Sequence, residues 1–327
     1  MIDVLGIGCA AVDDVLYVDT YPSADSKLQI KRSERRFGGL TAIALIAAAK
    51  LGGRCAFAGL LGEDELSRSV EDNFIRHGID VSHAVRRPES RPVHATIVAA
   101  EETGTRNIFF EASAPTGAHS SGPSEEVIRA SKVLFLDYLG VAGGIRAATV
   151  ARKAGVPVVG DLEDDRDPDF GELLVLVDHL IIGREFATRL TGVDDPQVAV
   201  EKLMTPGRET AVVTCGNEGA WYASRRPEPP FPFPAQPSPQ EEGGTARHQP
   251  AFPVKAVDTT GCGDVFHGAY ALALARGESV ESRVRFAAAA AAVKATQAEV
   301  PSAEQVIELL ARPTRVERAK DQRPQRR

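Results

Sequence analysis

The chain has 327 residues, 43% of them hydrophobic, enough for one large or two modest cores, and its composition excludes fibrous, collagen-like and globally disordered classes. A formal charge of -7 disfavours nucleic acid as a partner of the whole chain, and no apolar run approaches the roughly 18 residues of a membrane span. Cys9, Cys55, Cys215 and Cys262 are widely spaced without a C-x-x-C, which argues against zinc or a disulfide framework; with no signal-like start at residues 1–6, a cytoplasmic protein is expected.

Residues 2–8 form a short apolar run ending in glycines, the pattern of a buried parallel strand. Asp13 follows in a mixed segment, where a carboxylate could accept two hydrogen bonds from a diol. Residues 27–36 carry Lys27, Lys31, Arg32, Arg35 and Arg36 around Leu28 and Ile30, as an exposed edge strand does. Phe37-Gly38-Gly39-Leu40-Thr41 opens an Ala-rich helix over 42–51 that Gly52-Gly53 closes. A strand over 54–61 and a helix over 66–77 come next. Residues 92–100 and 105–110, split by Glu101-Glu102-Thr103-Gly104, read as a hairpin that carries Arg106.

From residue 124 helices and short apolar strands alternate up to Cys215, predicting an α/β fold with a doubly wound, mostly parallel sheet. Ligands in such sheets sit beyond the carboxyl ends of the strands, where Asp137, Asp161 and Glu163 fall. Residues 213–221 read as a strand, a T-x-G-x-x-G turn and a second strand. The eight prolines of 225–250 predict a long loop, read as a tolerated insertion or a regulatory contact. A very Ala-rich helix is expected over 279–297. Residues 312–327 hold seven basic and two acidic residues with almost nothing apolar, so they are expected to be a disordered tail.

The chain is organised around Val257-Asp258-Thr259-Thr260-Gly261-Cys262-Gly263-Asp264-Val265-Phe266-His267-Gly268. A glycine turn feeding a helix N-terminus presents unpaired N–H groups and the positive end of a helix dipole, a seat for a phosphate. Asp264 would repel a phosphate as a direct ligand but suits a general base beside it. On local physics alone, an Asp capping its own helix explains the same letters.

The whole string resembles the second signature, D-T-x-G-x-G-D-x-F-x-G, of the ribokinase-like (PfkB) carbohydrate kinases. The resemblance runs over about residues 2–311 and implies one kinase domain, with a small β lid from about 13–36 and 92–112. It implies that Asp264 is the base and that Gly261, Cys262 and Gly263, with the Asp264 amide, form the anion hole. Asp13, Lys27, Gly38, Gly39, Arg106 and Asp137 become candidates for the substrate. Ile43 replaces the Asn of the first signature, G-G-x-x-x-N-x-A, which weighs against ribose. Thr214, Gly216 and Gly219 match the nucleotide loop, and Ala287 and Ala288 would border the adenine. The N-x-x-E segment tied to magnesium falls at Gly183-Arg184-Glu185-Phe186 with neither its Asn nor its Glu, leaving Glu185 and Asp161 as metal candidates. A potassium-type site would use Asp258 and Thr260.

Arg247-His248-Gln249-Pro250-Ala251-Phe252 looks most similar to the bacterial branch that includes sulfofructose kinases. Leu139 and Phe110 stand where that branch has its Arg and Asn, so its substrate is not carried over. The expected activity is in-line transfer of the ATP γ-phosphoryl to a hydroxyl of a sugar or sugar derivative, assisted by Mg²⁺. The expected partners are the sugar and, through the lid, a second copy of the chain, with no nucleic acid or membrane. A nucleoside kinase of the same fold, or an inactive sugar- or nucleotide-binding regulator, are the alternatives.

Overall fold

The computed structural model describes residues 1–111, 113–225 and 245–312. Residue 112 of the expected lid, residues 226–244 of the Pro-rich stretch and the tail beyond Arg312 lie outside them. Strand β1 (Ile2–Ile7) is followed by β2 (Ala11–Val18), β3 (Arg32–Gly38), helix α1 (Leu40–Lys50), β4 (Cys55–Phe57), β5 (Leu60–Leu61) and α2 (Glu65–Arg76). Next come β6 (Val85–Arg86), β7 (Val93–Ala100), β8 (Thr105–Glu111), α3 (Glu125–Arg129), β9 (Ser131–Asp137), α4 (Val141–Lys153) and β10 (Val158–Asp161). The C-terminal half adds α5 (Phe170–Leu176), β11 (His179–Gly183), α6 (Arg184–Thr191), α7 (Pro196–Lys202), β12 (Thr210–Thr214) and β13 (Ala220–Ser224). It ends with β14 (Arg247–Gln249), α8 (Cys262–Ala275), α9 (Val280–Ala295) and α10 (Ala303–Ala311).

The main sheet has the order β14-β13-β12-β11-β10-β9-β1-β4 and is parallel from β12 to β4. Its strands are apolar on both faces because both faces are covered. In β9, Val133 and Phe135 pack with α1, α8 and α9, while Leu134 and Leu136 pack with α4 and α5. Each such side chain, fully removed from water, contributes about 1.5–3 kcal/mol. The doubly wound α/β architecture expected from the alternating pattern is therefore present.

A second, four-stranded sheet, ordered β3-β2-β7-β8, is built from the segments expected to form the lid. β7 and β8 form the expected hairpin, with Ile97 opposite Ile108 and Ala99 opposite Arg106. The basic edge strand begins later than its charge pattern suggested, at Arg32, and Lys27 lies exposed in the segment ahead of it. The strand expected over 54–61 divides into β4 in the main sheet and β5, which pairs with β6. The break falls at Gly59, where a Cβ would stand 2.1 Å from the Gly8 carbonyl oxygen. The 225–250 stretch is also not wholly loop, since Arg247–Gln249 pairs antiparallel with β13. That strand exists because β13 offers an unpaired edge, a tertiary cause that local composition does not reveal.

Candidate active site

Gly261 takes φ 76°, the left-handed region a glycine adopts without strain, and so turns the chain into α8. No side chain caps the helix there. Asp264 is the third helical residue and its carboxyl takes no hydrogen bond from the described residues, so it is not a cap for its own helix. Burial, then the charges of Asp161, Glu163 and Asp137, push its pKa up to about 8, with His267 opposing. Thr260 N donates to Asp258 Oδ1 at 2.9 Å and Cys262 N to Thr259 O at 3.2 Å, which folds the turn tightly. A Cβ on Gly263 would meet nothing within 4 Å, so the helix start faces open space.

Behind the turn lies His267, one turn along α8 and only 4% exposed. Its Nδ1 is 2.8 Å from the Gly263 carbonyl and its Nε2 is 2.9 Å from the Ile181 carbonyl. Asp161, at the end of β10 and 2% exposed, places Oδ2 3.3 Å from the same Nδ1. Because Nδ1 already points at Gly263, that oxygen takes no hydrogen bond from the described residues. Burial first, and then the nearby Glu163 and Asp137 charges, raise the Asp161 pKa well above the usual carboxylate range. Sequence reading missed His267, although its place three residues after Asp264 puts both on one side of α8.

Asp137, at the end of β9, is buried, and its oxygens face inward. Oδ2 accepts from Cys9 N and Thr41 Oγ1, each at 2.7 Å, and Oδ1 accepts from Leu139 N at 2.9 Å. These bonds give it a different task from the one its strand-end position suggested, that of tying β1, α1 and β9 together under the site.

Asp13 lies on β2 opposite Arg36 of β3 and is half-buried. Burial raises its pKa, with Arg36 and His94 opposing. Arg36 itself is engaged, giving Nε to Glu34 at 2.6 Å and Nη2 to Tyr17 Oη at 2.8 Å. A Cβ on Gly38 would come within 3.3 Å of Asp13 Oδ2. Gly39 has φ 95°, and a Cβ there would lie 2.7–2.8 Å from the backbone of Ala10 and Ala11. Both glycines therefore let α1 start close against β2. Arg106 of β8 donates from Nη1 to Thr260 Oγ1 at 3.2 Å, joining the four-stranded sheet to the turn ahead of α8.

Thr214 ends β12, and its Oγ1 donates to Ile182 O at 3.4 Å. Gly216 borders open space, whereas a Cβ on Gly219 would stand 2.1 Å from Gln249 O, so Gly219 serves the approach of β14. Arg184 closes over this loop with two bonds to Glu218, at 2.8 and 3.1 Å. Ala287 is fully buried against the core, while Ala288 is half-buried, so of the two it is Ala288 that has surface to offer.

Glu185 is exposed in the first turn of α6. Among the described residues no three His, Cys, Asp or Glu side chains gather as a metal cage. Of the two metal candidates, Glu185 is open to solvent, where a carboxylate can meet the water shell of a magnesium carried on nucleotide phosphates, whereas the unmet Oδ2 of Asp161 is buried away from solvent. At the expected potassium position the ammonium of Lys294 lies 3.9 Å from Asp258 Oδ2. No helix among the described residues is long and apolar enough to cross a membrane.

The sequence profile of the pfkB family carbohydrate kinases matches residues 1–305. The chain is 28% identical over 326 residues to the ribokinase of Haemophilus influenzae, covering 93% of this chain and 97% of that one. It is 27% identical over 301 residues to fructokinase-1 of Oryza sativa subsp. japonica, covering 84% and 87%. Among solved structures it is similar to an Arabidopsis thaliana ribokinase complexed with ribose and ATP, with TM-score 0.79, 24% identity and coverage of 95% and 99%. A Thermotoga maritima ribokinase gives TM-score 0.75, 24% identity and coverage of 95% and 100%. These two structural likenesses carry the fold.

Proposed function

The chain belongs to the pfkB family of carbohydrate kinases and is an ATP-dependent carbohydrate kinase; from that premise we propose that Asp264 is its general base, taking the proton of the attacking hydroxyl of a sugar or sugar derivative. What carries the reading is a carboxyl that takes no hydrogen bond from the described residues, on the first turn of a helix with no side-chain cap, where burial pushes its pKa up to about 8. A base poised near the working pH is both available in its charged form and strong enough to take a proton.

The amides of Gly261, Cys262, Gly263 and Asp264 form the anion hole, and the positive end of α8 stabilises charge on the transferring group. Cys262 N–H shares itself with Thr259 O. His267 supports the hole from behind by holding the Gly263 carbonyl, which fixes where the following amides point. Asp13, Lys27 and Arg106 grip the sugar, with Gly38 and Gly39 leaving the room and Asp137 bracing the floor. Thr214, Gly216 and Ala288 border the nucleotide, and Gly219 shapes its loop. Magnesium on the triphosphate supplies positive charge opposite the transferring group. The lid excludes water, which limits ATP hydrolysis.

Exposed Ile108, Phe109 and Phe110 on the outer lid strand β8 suit a second copy of the chain, and multi-angle light scattering of wild type and Ile108→Glu tests that pairing. Four unpaired thiols suit a reducing cytoplasm. A panel of sugars and nucleosides with ATP, read by ADP formation, tests the activity. Turnover of sugars that is lost in Asp264→Asn supports the reading; turnover of nucleosides alone, or an undiminished Asp264→Asn, overturns it.

A further inference from the structure

Lys294 is the single basic residue of the Ala-rich part of α9, and its side chain is 5% exposed. It lies in the last turn, where a helix presents its negative end and unpaired carbonyls. Its Nζ donates to the Gln297 carbonyl at 3.2 Å and stands 3.9 Å from Asp258 Oδ2. Its Cε is 3.8 Å from where Gly261 would carry a Cβ. The segment entering the catalytic turn is stitched to the same helix end, since Val257 N and Asp258 N both donate to Ala295 O, at 2.7 and 3.2 Å. One ammonium thus sits among a carboxylate, a loop carbonyl and the glycine that starts α8.

A carboxylate and a main-chain carbonyl meeting behind a phosphate-binding turn are the kind of oxygen donors a monovalent cation would take. A free potassium ion and this ammonium would compete for one volume, and the lysine is covalently held there. A buried ammonium is stable only with such partners, so its position is not incidental.

We propose that Lys294 is a built-in monovalent cation: its ammonium holds Asp258 and the 297 loop in the arrangement that aims the anion-hole amides, and the enzyme needs no potassium. Lys294 is a positioning residue, since it acts through Asp258 and the turn without touching the reacting atoms. This rests on the reading of residues 261–264 as the anion hole, but the cation response can be measured without any substrate.

The first measurement is thermal unfolding of the wild type in potassium, sodium and choline chloride at matched ionic strength, with kinase turnover in the same salts. Indistinguishable melting and turnover in all three are expected. A stabilisation or an activation of several-fold specific to potassium would overturn the proposal, and the melting result stands even if no sugar in a panel is phosphorylated. The second uses Lys294→Met and Lys294→Gln. In choline, turnover should fall about 10- to 100-fold, the scale of a small misplacement of catalytic groups, and potassium or ammonium should restore most of it and raise the melting temperature. Unchanged turnover in choline refutes the assignment. So does a folded variant that no monovalent cation rescues, because the ammonium would then serve packing alone. Should neither variant fold, the wild-type salt series decides.

Discussion

Arg106 Nη1 on the lid hairpin reaches Thr260 Oγ1 in the catalytic turn at 3.2 Å, across 154 residues of sequence. The contact is exposed, so it adds little to stability, about 0–1 kcal/mol. Its effect is on lid position. Arg106→Ala should leave the melting temperature within a degree or two of wild type, raise the sugar KM, and increase ATP hydrolysis without sugar transfer. Parallel assays of ADP and sugar phosphate measure this. Tight coupling in the variant would show that the lid closes without the contact.

Asp264→Asn keeps the shape of the site and removes the base. Turnover should fall by roughly 10² to 10⁴, with ATP affinity nearly intact because the main-chain amides remain. Rapid-quench turnover and nucleotide titration separate the two quantities, and wild-type turnover would remove Asp264 from the mechanism.

The raised pKa of Asp264 gives two opposite pH trends. Only the ionised form accepts a proton, so kcat/KM should climb with pH and level off above about 8. Stability should move the other way. The folded protein keeps the Asp264 proton to about pH 8, whereas an unfolded aspartate loses it near 3.8, so raising pH between those values favours unfolding. Asp264→Asn should lack this contribution and gain stability relative to wild type at pH 8–9. Urea titrations of both proteins from pH 5 to 9 provide the comparison; parallel curves would contradict the shift.

Gly39→Ala places a Cβ 2.7–2.8 Å from the Ala10 and Ala11 backbone at a φ of 95°. The backbone strain alone should cost about 1–3 kcal/mol. Chemical denaturation reads this directly, and a loss within error of zero would mean that α1 can draw back from β2 at no cost.

His267→Leu removes a ring whose nitrogens face the Gly263 and Ile181 carbonyls and the Asp161 carboxylate. Buried acceptors left without a donor cost about 1–3 kcal/mol. Turnover should fall together with stability, while His267→Gln, which can still donate to one carbonyl, should recover part of both.

The parallel sheet was legible because strands such as Val133 to Leu136 are apolar at every position, a pattern that only two covered faces explain. The glycine turn into α8 was legible because its glycines and Asp264 lie within four residues of one another. Other parts depend on contacts between distant segments. Asp137 looked like a ligand-facing carboxylate from its strand-end position, but its partners are Cys9 and Thr41, 128 and 96 residues away. Lys294 meets Asp258 only because α9 folds back beside the turn. A solitary lysine within a run of alanines is the trace such a contact leaves in sequence. β14 could not be seen locally, since its pairing is decided by the open edge of β13.

The three bonds of Asp137 also set a rule for anyone wishing to retarget this enzyme to another sugar. One inward carboxylate serves the amide of Cys9, the hydroxyl of Thr41 and the amide of Leu139, so those segments are interdependent. A chimera that swaps just one of them with a relative risks stranding a buried negative charge, whereas exchanging all three as a block preserves the joint and leaves the lid free to be redesigned.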